Sequence, residues 1–205
     1  MITVGIDLSM RSTGLVALND ERKIISKMLI MPSAKEYNDE HLLFHVSENI
    51  SRFLCKLVEK DEVRVVIEGL SLGSASGSKD ILYGNYWMAR CAVKSVEETI
   101  DIFSVPVTRW RKYIVNKDDR DRIKEEDLKD GLKIVAVEKL PENVKEELQL
   151  YVKVTPGAKP ASLYDLTDAY WLADYAFEHK AIDDESDRIE YEKKAAKKAE
   201  KKKKK

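Results

Sequence analysis

Two carboxylates stand at the ends of apolar runs that are typical of buried strands. Asp7 follows the run ITVGI, and Glu68 closes the run VRVVIE. A charge at the tip of a buried strand is costly unless it has a partner or a task there. If the two strands are parallel neighbours in one sheet, both carboxylates lie at the same edge, where α/β proteins usually place their sites.

Two further carboxylates lie three residues apart in the segment SLYDLTDAYWLADYAF, which is predicted to be a helix. Because Asp165 and Asp168 are three apart, they share one helical face. A neighbouring apolar stripe is predicted to pack on the sheet and to turn the acidic face toward the sheet edge. The stripe consists of Leu163, Leu166, Tyr170, Ala173 and Phe177.

Carboxylates that converge from separate elements favour a divalent cation. Like charges repel one another, which makes the ionised forms costly to keep together. Mg²⁺ or Mn²⁺ offsets this cost and prefers ligands that are all oxygen. Two such ions about 3.5–4 Å apart can activate a water and stabilise the leaving oxygen of a phosphodiester. The four carboxylates are a pattern that suits this chemistry.

Each carboxylate taken alone also has a structural interpretation. Asp7 could cap a loop, and Glu68 could face solvent at the end of its strand. The motif SLYD fits a variant capping box, in which Asp165 would satisfy the helix N-terminus. An exposed helical aspartate such as Asp168 is common, and Asp174 in the same helix is predicted to face solvent. Only the combination favours a functional site.

The elements that must position these residues begin with an antiparallel meander of three strands, with Asn19-Asp20 as a hairpin turn. Helices and two further strands then alternate, and the Gly- and Ser-rich stretch 69–79 is predicted to be a loop. This is the order of an RNase H-like α/β domain, in which helices flank a mixed sheet of three antiparallel strands plus parallel strands. The predicted strands cover residues 2–7, 13–18, 23–30 and 63–68 and the segment IDIFSVPV, and the predicted helices cover about 38–60, 81–99, 108–115, 126–139, 142–151 and 162–178.

The composition fits one globular domain with a charged tail. Of the 205 residues, 43% are hydrophobic and 36% are charged, and the formal net charge is -1. Residues 189–205 carry nine lysines against three glutamates, so the rest of the chain is acidic. We assign residues 1–182 to the domain and 183–205 to a lysine-rich tail. The tail is either an electrostatic arm for nucleic acid or a solvated, frayed helix.

The remaining sequence features predict a cytoplasmic protein. Cys55 and Cys91 lie in predicted helices without metal-ligand spacing, which is typical of reduced core thiols. No segment resembles a signal peptide, and no apolar run is long enough to span a bilayer. We therefore expect no membrane association.

Four short motifs, in order, resemble those of the phage-type RuvC-like Holliday junction resolvases. GIDLSMRSTG resembles their first strand, with Asp7 at the catalytic position, and VVIEGLS resembles their second acidic strand, with Glu68. YDLTDAYWLA resembles their C-terminal helix, with Asp165 and Asp168. VPVTRWRKYI resembles the segment after their fifth strand. The resemblance spans about residues 1–180.

The resemblance implies a homodimer that nicks four-way or branched DNA with two Mg²⁺ or Mn²⁺ ions per active site, in a bacterial or phage-infected cell. Asp7 would bridge the two ions, Glu68 and Asp168 would each complete one ion's shell, and Asp165 would bind or orient the second. The region 116–160 departs from the family because it is longer and acidic. Its stretch NKDDRDRIKEEDLKDG has no aligned counterpart, which leaves the basic residues of the cleft open.

A basic and aromatic cluster after the fifth predicted strand is the main candidate for holding DNA. Lys112 is the first candidate for phosphate contacts, followed by Arg111 and Arg109. Lys79, at the end of the Gly- and Ser-rich loop, is a further candidate. In the alternative interpretation, Trp110 packs in the core and the flanking bases are merely solvated.

Three other functions stay open at this point. An RNase H-fold nuclease that acts on an RNA–DNA hybrid, a flap or a fork would use the same carboxylates. An actin- or Hsp70-like ATPase also opens with Gly-Ile-Asp, but it needs a second glycine-rich phosphate loop. The only Asp-Gly pair here, Asp130-Gly131, lies in a stretch predicted to be helical. A non-catalytic DNA-binding relative is disfavoured because all four acidic positions are present.

Overall fold

One mixed sheet and its flanking helices form the part of the chain that the computed structural model describes, residues 1–9, 12–32, 39–70 and 79–179. The strands are β1 (Ile2–Asp7), β2 (Thr13–Leu18), β3 (Ile24–Ile30), β4 (Val63–Glu68) and β5 (Asp101–Val105). The helices are α1 (Asp39–Val58), α2 (Lys79–Val96), α3 (Val107–Ile114), α4 (Lys117–Glu125), α5 (Gly131–Glu138), α6 (Glu142–Val154) and α7 (Ser162–Glu178). Most of loop 69–79 and the predicted tail 183–205 lie outside this description.

The sheet has the strand order β3-β2-β1-β4-β5. β1 pairs antiparallel with β2, and β2 pairs antiparallel with β3, which confirms the predicted meander. β1 and β4 are parallel, as are β4 and β5, so β1 and β4 end at the same edge of the sheet. The predicted mixed sheet flanked by helices is confirmed.

Helices cover both faces of the sheet, which is why β1 and β2 are mostly apolar and are buried along their whole length. Alternate residues of a strand point to opposite faces. On one face, Val4 and Ile6 pack with residues of α1 and α2. On the other, Val16 packs with α7, and Val66 packs with α3, α5 and α7. By the same alternation, Asp7 and Glu68 point to the face that α7 covers.

Helix α7 lies directly on β1 and β2, and two glycines make this contact possible. A Cβ on Gly5 would stand 1.9 Å from the carbonyl oxygen of Ala169. A Cβ on Gly14 would stand 2.2 Å from the carbonyl oxygen of Asp165. Both distances are far below van der Waals contact and involve backbone atoms, so only glycine fits at either position.

The sequence predictions were wrong for the β2–β3 turn and for the start of the helix predicted at 126–139. Residues in the left-handed backbone conformation set both of these boundaries, and hydrophobic periodicity does not reveal them. The β2–β3 turn extends from Asn19 to Lys23, with Arg22 in a left-handed conformation (φ 60°), and is longer than the predicted Asn19-Asp20 turn. The predicted helix 126–139 is only α5, which begins after Asp130, also left-handed (φ 60°). The preceding α4 was missed since it has no buried residue and begins instead at a capping box made by its N-cap, Asn116.

The two cysteines are free thiols, but the prediction that they lie in the core was wrong. Cys55 and Cys91 are both exposed, whereas their neighbours Leu54 and Ala92 are buried. One face of each of α1 and α2 packs on the sheet, and the cysteines lie on the outer faces. In the described part of the chain, no helix is long and apolar enough to cross a membrane.

We predict that Gly5→Ala lowers the free energy of unfolding by about 3 kcal/mol or more, because the added methyl group clashes with backbone atoms that cannot move independently. Urea denaturation followed by circular dichroism measures this change. Gly84→Ala is the matched control, since its Cβ would stand 3.1 Å from a mobile side-chain atom of Leu43. Its stability should change by no more than about 1 kcal/mol. A Gly5→Ala variant as stable as Gly84→Ala would contradict the direct contact.

Candidate active site

Four carboxylates from three elements share one site at the end of the sheet. Asp7 ends β1, Glu68 ends β4, and Asp165 and Asp168 lie in the first two turns of α7. Asp7 and Asp168 are almost fully buried, with 9% and 3% of their surfaces exposed. The pKa of Asp7 is raised well above its usual range by burial and by the negative charges of Asp168, Glu68 and Asp165. Asp7 therefore lies within electrostatic reach of all three other carboxylates.

The contact of α7 with the meander places its two aspartates. The carbonyl oxygen of Asp165 lies against the backbone of Gly14, which is paired with Asp7 in the sheet register. The first turn of α7 is thereby fixed beside the end of β1. Asp168 follows one turn later, and both carboxylates are held at the sheet edge by backbone packing.

Burial keeps the other three carboxylates from ionising easily. Burial raises the pKa of Asp168 to about 7, and the charge of Glu68 adds to that rise while Arg111 opposes it. The pKa of Glu68 is likewise raised by burial and lowered in part by Arg111. Burial also raises the pKa of Asp165. The four carboxylates can therefore ionise together only at a high cost, which nearby cations would reduce.

Two basic side chains, Arg111 and Lys133, partly compensate the negative charge of the ionised carboxylates. Arg111 of α3 approaches Asp168, with 3.5 Å between Nη2 and Oδ2. Lys133 of α5 lowers the pKa of Asp7, Asp168 and the other two carboxylates. Lys133 was missed from the sequence, because its helix was predicted with the wrong start and carried no motif. Only the packing of α5 against α7 brings it to the site.

The predicted DNA-binding residues differ in their distance from the carboxylates and in their exposure. Arg111 lies in the site, Lys112 is exposed beside it, and Arg109 is half-buried. The indole of Trp110 is 1% exposed and packs in the core, which confirms its structural interpretation. Lys79 begins α2, and its side chain lies outside the described residues.

Two expectations about α7 change. Its N-cap residue is Ala161, with no side-chain capping bond, and the hydroxyl of Ser162 accepts from the backbone of Lys159 instead. Asp165 is therefore not occupied as a cap. Asp174 is buried, so the prediction that it faces solvent was wrong. The Tyr113 hydroxyl donates to its carboxylate at 3.0 Å, and Arg22 pairs with it at 3.4 Å.

The donor set fits hard divalent cations. Carboxylate oxygens are the ligands that Mg²⁺ and Mn²⁺ prefer, and a bound cation would relieve the repulsion that raises the pKa of Asp7. Among the described residues, no three histidine, cysteine or acidic side chains are already arranged as a metal site. The carboxylates are thus neighbours that a cation would have to draw together.

Comparisons with known proteins identify the fold class. No family model and no curated protein sequence matches the chain. A solved structure of Thermus thermophilus RuvC matches with a TM-score of 0.57 and 10% identity, covering 88% of this chain and 97% of that one. T. thermophilus RuvC in complex with a Holliday junction substrate matches with a TM-score of 0.56 and 9% identity, covering 87% and 95%. The protein therefore has the RNase H-like fold of RuvC.

We predict that, without divalent cations, Asp168→Asn is more stable than the wild type at pH 8. The folded pKa of about 7 lies above the ordinary value of 3.8, so the contribution of Asp168 to stability is fully present below about pH 4 and is lost as the pH rises through 7. Asparagine cannot ionise and escapes this loss, which we expect to be roughly 1–3 kcal/mol after allowance for coupling to the neighbouring acids.

Urea denaturation in EDTA across this pH range measures the effect. Asp101→Asn, at an exposed aspartate, is the control and should follow the wild type. The same pH dependence in Asp168→Asn as in the wild type would contradict the buried cluster.

Proposed function

We propose that the protein is a metal-dependent endonuclease that nicks four-way or branched DNA. The observation that carries this proposal is the buried Asp7, whose pKa is raised first by burial and then by three other carboxylates from two separate elements. A fold gains nothing in stability from such repulsion. Acidic clusters of this kind hold cations for phosphodiester hydrolysis, and the order of the four motifs along the chain fits a RuvC-like nuclease.

Asp7, Glu68, Asp165 and Asp168 would hold two Mg²⁺ or Mn²⁺ ions. Bound cations supply charge neutralisation and an activated water for hydrolysis of a phosphodiester. Asp7 is suited to holding these cations because the charges of all three other carboxylates act on it. Arg111 orients Asp168 from α3. The products would be a 5′-phosphate and a 3′-hydroxyl.

Branched DNA and a second copy of the chain are the proposed partners. The RuvC of T. thermophilus that shares this fold has been solved with a Holliday junction substrate. Two symmetric nicks in a junction need two sites related by symmetry, which a homodimer provides. Arg109, Arg111, Lys112 and Lys79 are the proposed phosphate contacts, and the proposed location is the cytoplasm of a bacterial or phage-infected cell.

A cleavage assay with labelled synthetic DNA tests the function. The substrates are a four-way junction, a replication fork, a linear duplex and an RNA–DNA hybrid, each with Mg²⁺, Mn²⁺ or EDTA. We expect symmetric, metal-dependent nicks in the junction. Asp7→Asn should reduce the rate by at least about 100-fold, because even groups behind a metal ligand contribute 10–100-fold. Glu178→Gln, at an exposed position of α7, is the control and should keep activity.

Each other result has a distinct meaning. No cleavage of any substrate by the folded wild type, or full activity in Asp7→Asn, would refute the nuclease. Cleavage of the hybrid or the fork alone would keep the metal site and replace the junction as substrate.

A further inference from the structure

A cleft between α3 and α4 is lined by basic side chains, of which only Arg111 and Lys112 belong to the DNA contacts proposed above. The cleft has a volume of about 500 Å³. Arg111 and Lys112 of α3 face Arg120 and Lys124 of α4 across the cleft. None of the described residues that line it is acidic. A lining of four cations without a carboxylate is a strong anion-binding surface.

Helix α4 sorts its charges by face, although its sequence KDDRDRIKE looks evenly mixed. Arg120, Ile123 and Lys124 are spaced three and four apart and line the cleft. Asp119 and Arg122 turn to the end of α5, where each forms an ion pair of 2.5 Å. Lys124 pairs with Asp121 of the same helix at 3.9 Å, and both side chains are well exposed. Such a pair holds little energy and leaves Lys124 available.

The cleft continues directly from the carboxylate cluster. Arg111 lines the cleft and also contacts Asp168. Lys112 follows it in the sequence and is exposed. A chain of phosphates that enters at the carboxylates would therefore meet Arg111 first and the α4 cations next.

The floor of the cleft is apolar, which indicates that a bound anion also carries an apolar or sugar-like part. Val107, Ile123 and Leu132 line it, and 37% of the Leu132 surface is exposed. An inorganic anion would leave this apolar floor bare, and a volume of about 500 Å³ suits a group of nucleotide size. A nucleic acid strand offers both parts, since its phosphates alternate with sugars that can lie on an apolar surface.

We infer that the α3–α4 cleft binds the backbone of the DNA strand next to the position of cleavage, with Arg120 and Lys124 as phosphate contacts. This inference rests on the proposed function and extends its substrate contacts to a helix that shows no motif. It also gives the segment NKDDRDRIKEEDLKDG a role, because α4 lies within that segment.

The test is the salt dependence of DNA binding by an Arg120→Gln/Lys124→Gln variant. All proteins carry Asp7→Asn so that the branched DNA stays intact. The charge-matched control is Lys117→Gln/Lys129→Gln, which removes two exposed lysines of the same region that do not line the cleft. Fluorescence anisotropy gives the dissociation constant at several salt concentrations, and circular dichroism confirms that each variant is folded.

Loss of two phosphate contacts should lower the slope of log K against log salt by about 1.4 to 1.8 and weaken binding roughly 30-fold at about 0.1 M salt. The control should keep the parent slope. An Arg120→Gln/Lys124→Gln variant with the parent slope and affinity would overturn the inference, as would equal losses in the control.

DNA cleavage is measured separately with the protein that retains Asp7. The results then distinguish a failure of the cleft proposal from a failure of the nuclease proposal. Cleavage together with an unchanged slope would overturn the cleft and leave the nuclease standing. A lower slope without cleavage under any metal would support the cleft as a nucleic-acid surface and overturn the nuclease. No binding of DNA by the parent protein would overturn the cleft as well.

Discussion

The contact between α7 and the first two strands is the constraint on which the rest of the site depends. Gly5 and Gly14 remove the side chains that would hold the helix away, so its backbone meets theirs. Asp165 and Asp168 are thereby brought to the strand ends that carry Asp7 and Glu68. The same contact buries like charges beside one another, and the apolar packing of α7 on the sheet must offset that repulsion.

Both ends of α7 are tied to the surrounding helices and loops, which aligns the cations with the acids. Near its C-terminal end, Asp174 binds Tyr113 of α3 and Arg22 of the β2–β3 turn. Near its N-terminal end, Asp168 meets Arg111, which lies on the same helix α3 as Tyr113. Helix α3 is thus attached to α7 at two points. This attachment fixes where the basic cleft begins relative to the carboxylates.

The sequence predicted the sheet, α7 and the four carboxylates because each has a local signal: strands that end in an acid, and an i, i+3 pair beside an apolar stripe. It did not predict α4 or Lys133, since a polar helix and a lone lysine carry no periodic pattern. The buried state of Asp174 and the exposure of Cys55 depend on partners distant in sequence, which a local pattern does not contain. The close approach of Gly5 and Gly14 to the backbone of α7 likewise depends on the packing of a helix that is distant in sequence.

Manganese binding by a Gly14→Ala variant tests this account most directly, because the variant keeps all four carboxylates and changes only the contact that places two of them. Electron paramagnetic resonance of free Mn²⁺ gives the affinity, circular dichroism confirms the fold, and Gly84→Ala is the control. The account predicts that the wild type and Gly84→Ala bind Mn²⁺ and that folded Gly14→Ala binds at least about tenfold more weakly. Wild-type Mn²⁺ affinity in a folded Gly14→Ala variant, or no Mn²⁺ binding by the wild type, would contradict it.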